Sequence, residues 1–148
     1  MNNAATKSPQ FNNIVLGLLT TIVMFSFASC TKKIAFLTSS VVPAARGYVE
    51  VKTDKNKNYG INIQLLDLAE VKRLQPSKQT YVVWMVTDEN VTKNIGQIKS
   101  STGMMSKQLK ASFETVSPNK PVKIFVTAED DAITTYPSNQ VVLSTDKF

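Results

Sequence analysis

The sequence contains no histidine. That excludes catalytic triads built on an imidazole base and metal centres held by histidine. It contains one cysteine, Cys30, so the chain has no partner with which to close an internal disulfide. Arginine is confined to Arg46 and Arg73, although lysine gives the chain a formal net charge of +6. Basic chains of this kind are candidates for nucleic-acid binding. Scarce arginine and the export signal described next argue against that partner, and no nucleic acid is expected. No segment holds a helical period for long, which argues against an alternating α/β fold. There is no internal repeat and no low-complexity tract.

What the sequence does have begins at its amino terminus. Met1–Gln10 is polar with one charge, Lys7. An apolar run from Ile14 to Ala28 follows and stops at Ser29-Cys30. A positive start, a short apolar run and small residues at a boundary make a secretory signal. The run is shorter than the roughly 20 apolar residues of a membrane-spanning helix. Phe27-Ala28-Ser29-Cys30 resembles the bacterial lipobox, with Phe27 where leucine is commoner. The resemblance implies cleavage before Cys30, a diacylglycerol thioether on its sulfur and further acylation, commonly palmitate, of the new amino terminus. The alternatives are an ordinary cleavable signal or a membrane anchor with an incidental cysteine. Two or more acyl chains anchor stably where one is marginal. The expected organisation is a signal peptide over residues 1–29, a lipidated tether over 30–45 that is rich in Ser and Thr, and one domain over 46–148.

That last part alternates with period two, the signature of strands with one buried face. In Gly47–Lys52, Val49 and Val51 share one face. Asp54–Asn58 is a polar tip, after which Ile61, Ile63 and Leu65 alternate with Asn62 and Gln64, predicting a hairpin. Leu66–Arg73 has no clear period and reads as a helical turn or an irregular crossover. Tyr81–Val86 is apolar on both faces, as in a central strand. Trp84 is expected in the core, with Tyr81 on the opposite face. Short strands follow over Thr92–Lys99, around Leu109–Phe113, over Val122–Ala128 and over Gln140–Ser144. About seven short strands divided by turns predict an all-β, antiparallel, immunoglobulin-like sandwich.

Candidate chemistry is sparse. Asp54–Asn58 imitates the start of a calcium loop, but Tyr59 stands where the loop needs glycine and Leu65 where it needs glutamate. Ser117–Lys120 and Ser144–Lys147 have the Ser-x-x-Lys spacing without the companion motifs of serine acyl-enzymes. Glu129, Asp130 and Asp131 form the densest acidic cluster and are the weak candidates for a cation site; a solvated turn is the plainer reading. Tyr81 and Trp84 read as packing residues ahead of a carbohydrate platform. No metal or cofactor is expected.

Several residues resemble the C-terminal domain of anti-sigma-K factors. They are the strand Tyr81-Val82-Val83-Trp84, then Gly96, then Val126-Thr127-Ala128-Glu129, and then Pro137 before the closing run Val141–Ser144. The resemblance covers the second half of the domain well and extends weakly back to Gly47. It implies an extracytoplasmic, β-sandwich-like domain in which Tyr81, Trp84, Gly96, Thr127, Glu129 and Pro137 are the motif positions. The sequence departs from the pattern at Asp130-Asp131, where the family often has Pro and Gly. It also lacks the family's cytosolic helical domain and membrane span, so no direct sigma-factor contact is expected.

The combined expectation is a non-enzymatic lipoprotein of the bacterial cell envelope that binds or senses an envelope protein or glycan. Its membrane contact is through acylated Cys30. The residues after Cys30, Thr31-Lys32-Lys33-Ile34, lack the acidic stretch linked to surface display in some lipoproteins, which favours a periplasm-facing location. The alternatives are an assembly subunit of the cell surface and, last, a small envelope hydrolase using carboxylates alone. A Cys30→Ala variant is expected to lose palmitate labelling and detergent partitioning; retention of both contradicts acylation at this site.

Overall fold

A computed structural model describes residues 31–98 and 110–148. These residues form an all-β fold, with eight strands in two antiparallel sheets of four. Cys30, the signal segment, and Lys99 and Leu109 of two expected strands lie outside the described residues.

The first sheet has the order β1-β2-β3-β6. Its strands are β1 (Thr31–Ala35), β2 (Arg46–Thr53), β3 (Tyr59–Leu66) and β6 (Lys110–Ser117). The second has the order β5-β4-β7-β8. It contains β4 (Thr80–Thr87), β5 (Thr92–Ile98), β7 (Pro121–Glu129) and β8 (Val141–Ser144). Setting β1 aside leaves three strands facing four, the strand count and partition of an immunoglobulin-like sandwich.

The alternation read from the sequence determines which side chains meet between the sheets. On β2 and β3, Val49 pairs with Ile63 and Val51 with Ile61. These residues and Leu65 form the inner face of the first sheet. Across from them stand Tyr81, Val83 and Met85 of β4, and Ile124, Val126 and Ala128 of β7. Fully burying side chains of this size stabilises by about 1.5–3 kcal/mol each relative to exposure. The inter-sheet core is therefore the principal source of stability.

The tip of the β2–β3 hairpin is held by one carboxylate. Asp54 accepts hydrogen bonds from the backbone amides of Asn56 and Asn58, each at 2.8 Å, and from the Asn58 side chain at 3.0 Å. These bonds hold the Asp54 carboxyl below its ordinary pKa. Lys57 turns the chain with φ of 64°. This is the hairpin turn anticipated.

Two expectations change. First, the stretch 31–45 is not a tether. Thr31–Ala35 pairs with β2 from Thr31 opposite Lys52 to Ala35 opposite Tyr48. Phe36 then bridges to Thr145, and the Leu37 amide donates to the Ser144 carbonyl. The chain thus leaves the first sheet and joins the edge of the second. Val42 and Ala45 are buried in the core beyond this crossing. Second, the strand count among the described residues is accordingly eight. The crossover after β3, expected as a helical turn or an irregular segment, contains a single 3-10 turn, Val71–Arg73, and buries Leu68, Val71 and Leu74.

Removing residues 31–45 strips an edge strand and two core side chains. A chain starting at Arg46 is expected to lose more than about 3 kcal/mol of stability relative to one starting at Thr31. Urea unfolding of the two chains checks this; equal midpoints and slopes contradict the role given to β1.

Candidate functional site

The motif residues occupy three places, and each fixes one part of the structure. Tyr81 faces the inter-sheet core, and its hydroxyl donates to the Ala69 carbonyl at 3.0 Å. It therefore ties the β3–β4 crossover to the sandwich. Burial pushes the Tyr81 phenol up to about 12 from its ordinary 10.0. Trp84 lies on the opposite face of β4, yet it too is fully buried. The sequence-based assignment of Trp84 to the inter-sheet core and Tyr81 to the other face is thus reversed. Period two shows that the two residues diverge but not which one faces inward. With both rings shielded, neither offers a carbohydrate platform.

A loop, residues 130–140, closes over Trp84. Asn94 of β5 sits opposite Trp84, and its side-chain amide donates to the carbonyls of Ala132 and Thr134 at 2.9 and 3.0 Å. The loop therefore leaves the end of β7 and reaches across the outer face of β4 to β5. Beneath it runs a polar chain. The Trp84 indole N–H donates to the Thr127 hydroxyl at 2.8 Å, and that hydroxyl donates to Glu129 Oε1. Glu129 Oε1 also accepts the Ser138 amide at 2.8 Å, directly after Pro137. Phe125 stacks beside Trp84 with ring centroids 6.2 Å apart. Trp84, Thr127, Glu129 and the Pro137 segment, widely spaced in the sequence, thus form one unit.

Gly96 serves packing between the sheets. Its φ is 139°, and an added Cβ would lie 2.6 Å from the Phe113 ring of β6. Both features exclude a side chain there.

The acidic cluster does not converge. Glu129 is buried in the chain just described, Asp130 pairs with Lys78 Nζ at 2.6 Å, and Asp131 accepts the Ile133 amide at 3.0 Å. Among the described residues no group of three or more acidic or cysteine side chains is placed to hold a metal ion. The two Ser-x-x-Lys serines are also engaged locally. The Ser117 hydroxyl exchanges bonds with the Asn119 backbone, and Ser144 donates to the Thr145 carbonyl.

The candidate site is a groove of about 960 Å³ at one end of the sandwich. Segments 40–44, 69–78 and 138–140 form its walls, and a buried polar side chain secures each of them. Ser39 accepts the amides of Val41 and Val42 at 3.2 and 2.9 Å. Tyr81 holds Ala69, and Glu129 holds Ser138. The lining combines Val41, Pro43 and Leu74 with Arg73 and the amide side chains of Gln75 and Gln140. The Gln140 amide donates to the Pro76 carbonyl at 3.3 Å, whereas its side-chain oxygen is buried and accepts no hydrogen bond among the described residues. A buried acceptor without a donor costs on the order of 1–3 kcal/mol.

Sequence reasoning marked two of the three wall-pinning residues, Tyr81 and Glu129, through the resemblance. Ser39 and the groove itself gave no signal, because the walls come from loops separated along the chain. No family model, curated protein or solved structure matches the chain, so the resemblance to anti-sigma-K outer domains rests on the motif residues alone.

Thr127→Val removes the hydroxyl that connects Trp84 to Glu129 and leaves the indole N–H buried without an acceptor. It is expected to cost about 1–3 kcal/mol, measured by urea unfolding; an unchanged midpoint contradicts the coupling. Tyr81 makes stability pH-dependent. The folded state holds its phenolic proton more tightly, so this contribution is complete below pH 10 and declines as pH rises toward about 12. Tyr81→Phe is expected to flatten that alkaline decline, followed by thermal melting across the range; an unaltered slope contradicts the assignment.

Proposed function

We propose that this chain is a non-enzymatic, lipid-anchored protein of the bacterial cell envelope that binds a protein or glycan through the end groove. The observation that carries binding is the groove itself: three walls pinned by Ser39, Tyr81 and Glu129, and a mixed apolar and amide lining. Pre-formed concave sites with a few placed polar groups are the usual form of recognition sites. Amides and an arginine suit a ligand rich in N–H, O–H and carbonyl groups, which peptides and sugars both are.

Anchoring rests on the Phe27-Ala28-Ser29-Cys30 motif, with the domain facing the periplasm. The sandwich then corresponds to the outer, sensor-like domain of anti-sigma-K factors, without direct contact to a sigma factor. An assembly-subunit role draws on one specific feature. Edge strand β6 exposes Val116 at 66%, and exposed apolar edges favour strand pairing between chains.

A photo-crosslinking residue at Asn139, on the groove rim, is expected to capture an envelope protein or glycan in intact cells. The same residue at Lys57, on the far hairpin, serves as the control. Adducts of equal yield from both positions, or none from Asn139, contradict the groove as the binding site.

A further inference from the structure

We infer that the end of the sandwich opposite the groove is a membrane-apposed face, with lysines that fit anionic lipid headgroups. The inference rests on the anchoring reading above and adds an orientation to it.

Strand register fixes the two ends. The groove segments adjoin Arg46, Leu66, Glu129 and Val141, which end or begin β2, β3, β7 and β8. At the other end Thr31 pairs with Lys52, Thr53 with Tyr59 and Tyr59 with Ser117. Strands such as β2 have eight residues rising roughly 3.4 Å each, so the ends lie on the order of 25 Å apart.

Cys30 is joined by one peptide bond to Thr31, the first residue of β1. Because 31–45 is part of the sandwich and not a tether, an acylated Cys30 leaves no linker between lipid and domain. The end bearing Thr31 must then lie against the headgroups, and the groove must face away.

The charge distribution agrees. Lys32, Lys52, Lys55 and Lys57 are exposed around the start of β1 and the β2–β3 tip. None of them forms an ion pair among the described residues, whereas at the groove end Arg46, Arg73 and Lys78 pair with Asp67, Glu70 and Asp130. Asp54, the acid of the tip, turns its carboxylate into its own loop. At this end of the second sheet, Asp88, Glu89 and Asp146 are mixed with Lys93, Lys120 and Lys147, so the surface where lysines predominate lies on the side of the first sheet. Basic residues next to a lipid anchor are attracted to anionic leaflets and reinforce it.

The full chain, processed in a bacterial host and reconstituted into phosphatidylcholine vesicles with phosphatidylglycerol, tests this. With Cys30 acylated, Asn56→Cys or Asn139→Cys supplies the one free thiol for a spin label. The label at position 56 is expected to be several-fold less accessible to a water-soluble relaxation agent than the label at 139. That protection is expected to fall in pure phosphatidylcholine and in a Lys52→Glu, Lys55→Glu, Lys57→Glu background. Equal accessibility at 56 and 139, with palmitate present on the protein, overturns the orientation while leaving the anchor intact. Absence of palmitate overturns the anchor and the orientation together.

Discussion

The pairing of β4 with β7 is the constraint on which the rest of this structure depends. The two strands run together from Thr80 opposite Glu129 to Thr87 opposite Pro121, and both faces of the pair are buried. The inner face packs on the first sheet through Tyr81, Val83, Ile124 and Val126. The outer face carries Trp84 and Thr127, which must also be shielded from water. An open sandwich provides no third layer for that purpose. The 130–140 loop supplies it, and the loop stays in place because Asn94 and Glu129 bind its backbone.

The groove follows from the same arrangement. Glu129 is the last residue of β7, so a carboxylate satisfied inside the outer layer also positions Ser138, the start of one groove wall. Tyr81 plays the equivalent part on the inner face, where its hydroxyl holds Ala69 of the facing wall. A buried hydroxyl or carboxylate without partners is expensive, so the loops that satisfy these groups are held closely. The site is thereby built on the rigid centre of the domain even though its surface consists of loops.

Much of the fold was legible in the sequence because half-buried strands alternate. β2, β3 and β7 show Val49/Val51, Ile61/Ile63/Leu65 and Ile124/Val126/Ala128 on single faces, and all of these meet in the core. β4 was legible as central, but its two apolar faces are equivalent in sequence, and so the orientation of Tyr81 and Trp84 was assigned backwards. β1 was missed because it is an exposed edge strand in which Ile34 alone is partly buried. Its identity depends on pairing with β2, which no local pattern reveals. Glu129 was visible as a position of the resemblance and as the first of three acids in a row, neither of which indicates that it is buried. Its burial depends on Thr127 and on Ser138, nine residues later. The residues named by the resemblance lie far apart in the sequence, and what joins Trp84, Thr127 and Glu129, one polar chain under one loop, needed three-dimensional contacts to see.

The central claim, that the 130–140 loop is a fixed third layer over the β4–β7 pair, can be tested by native-state amide hydrogen exchange. The Ser138 amide, bound to buried Glu129, is predicted to exchange nearly as slowly as Val83 and Val126 in the central strands, and far more slowly than Lys55 in the exposed hairpin tip. Exchange of Ser138 at the rate of Lys55, with the central strands still protected, would contradict the account.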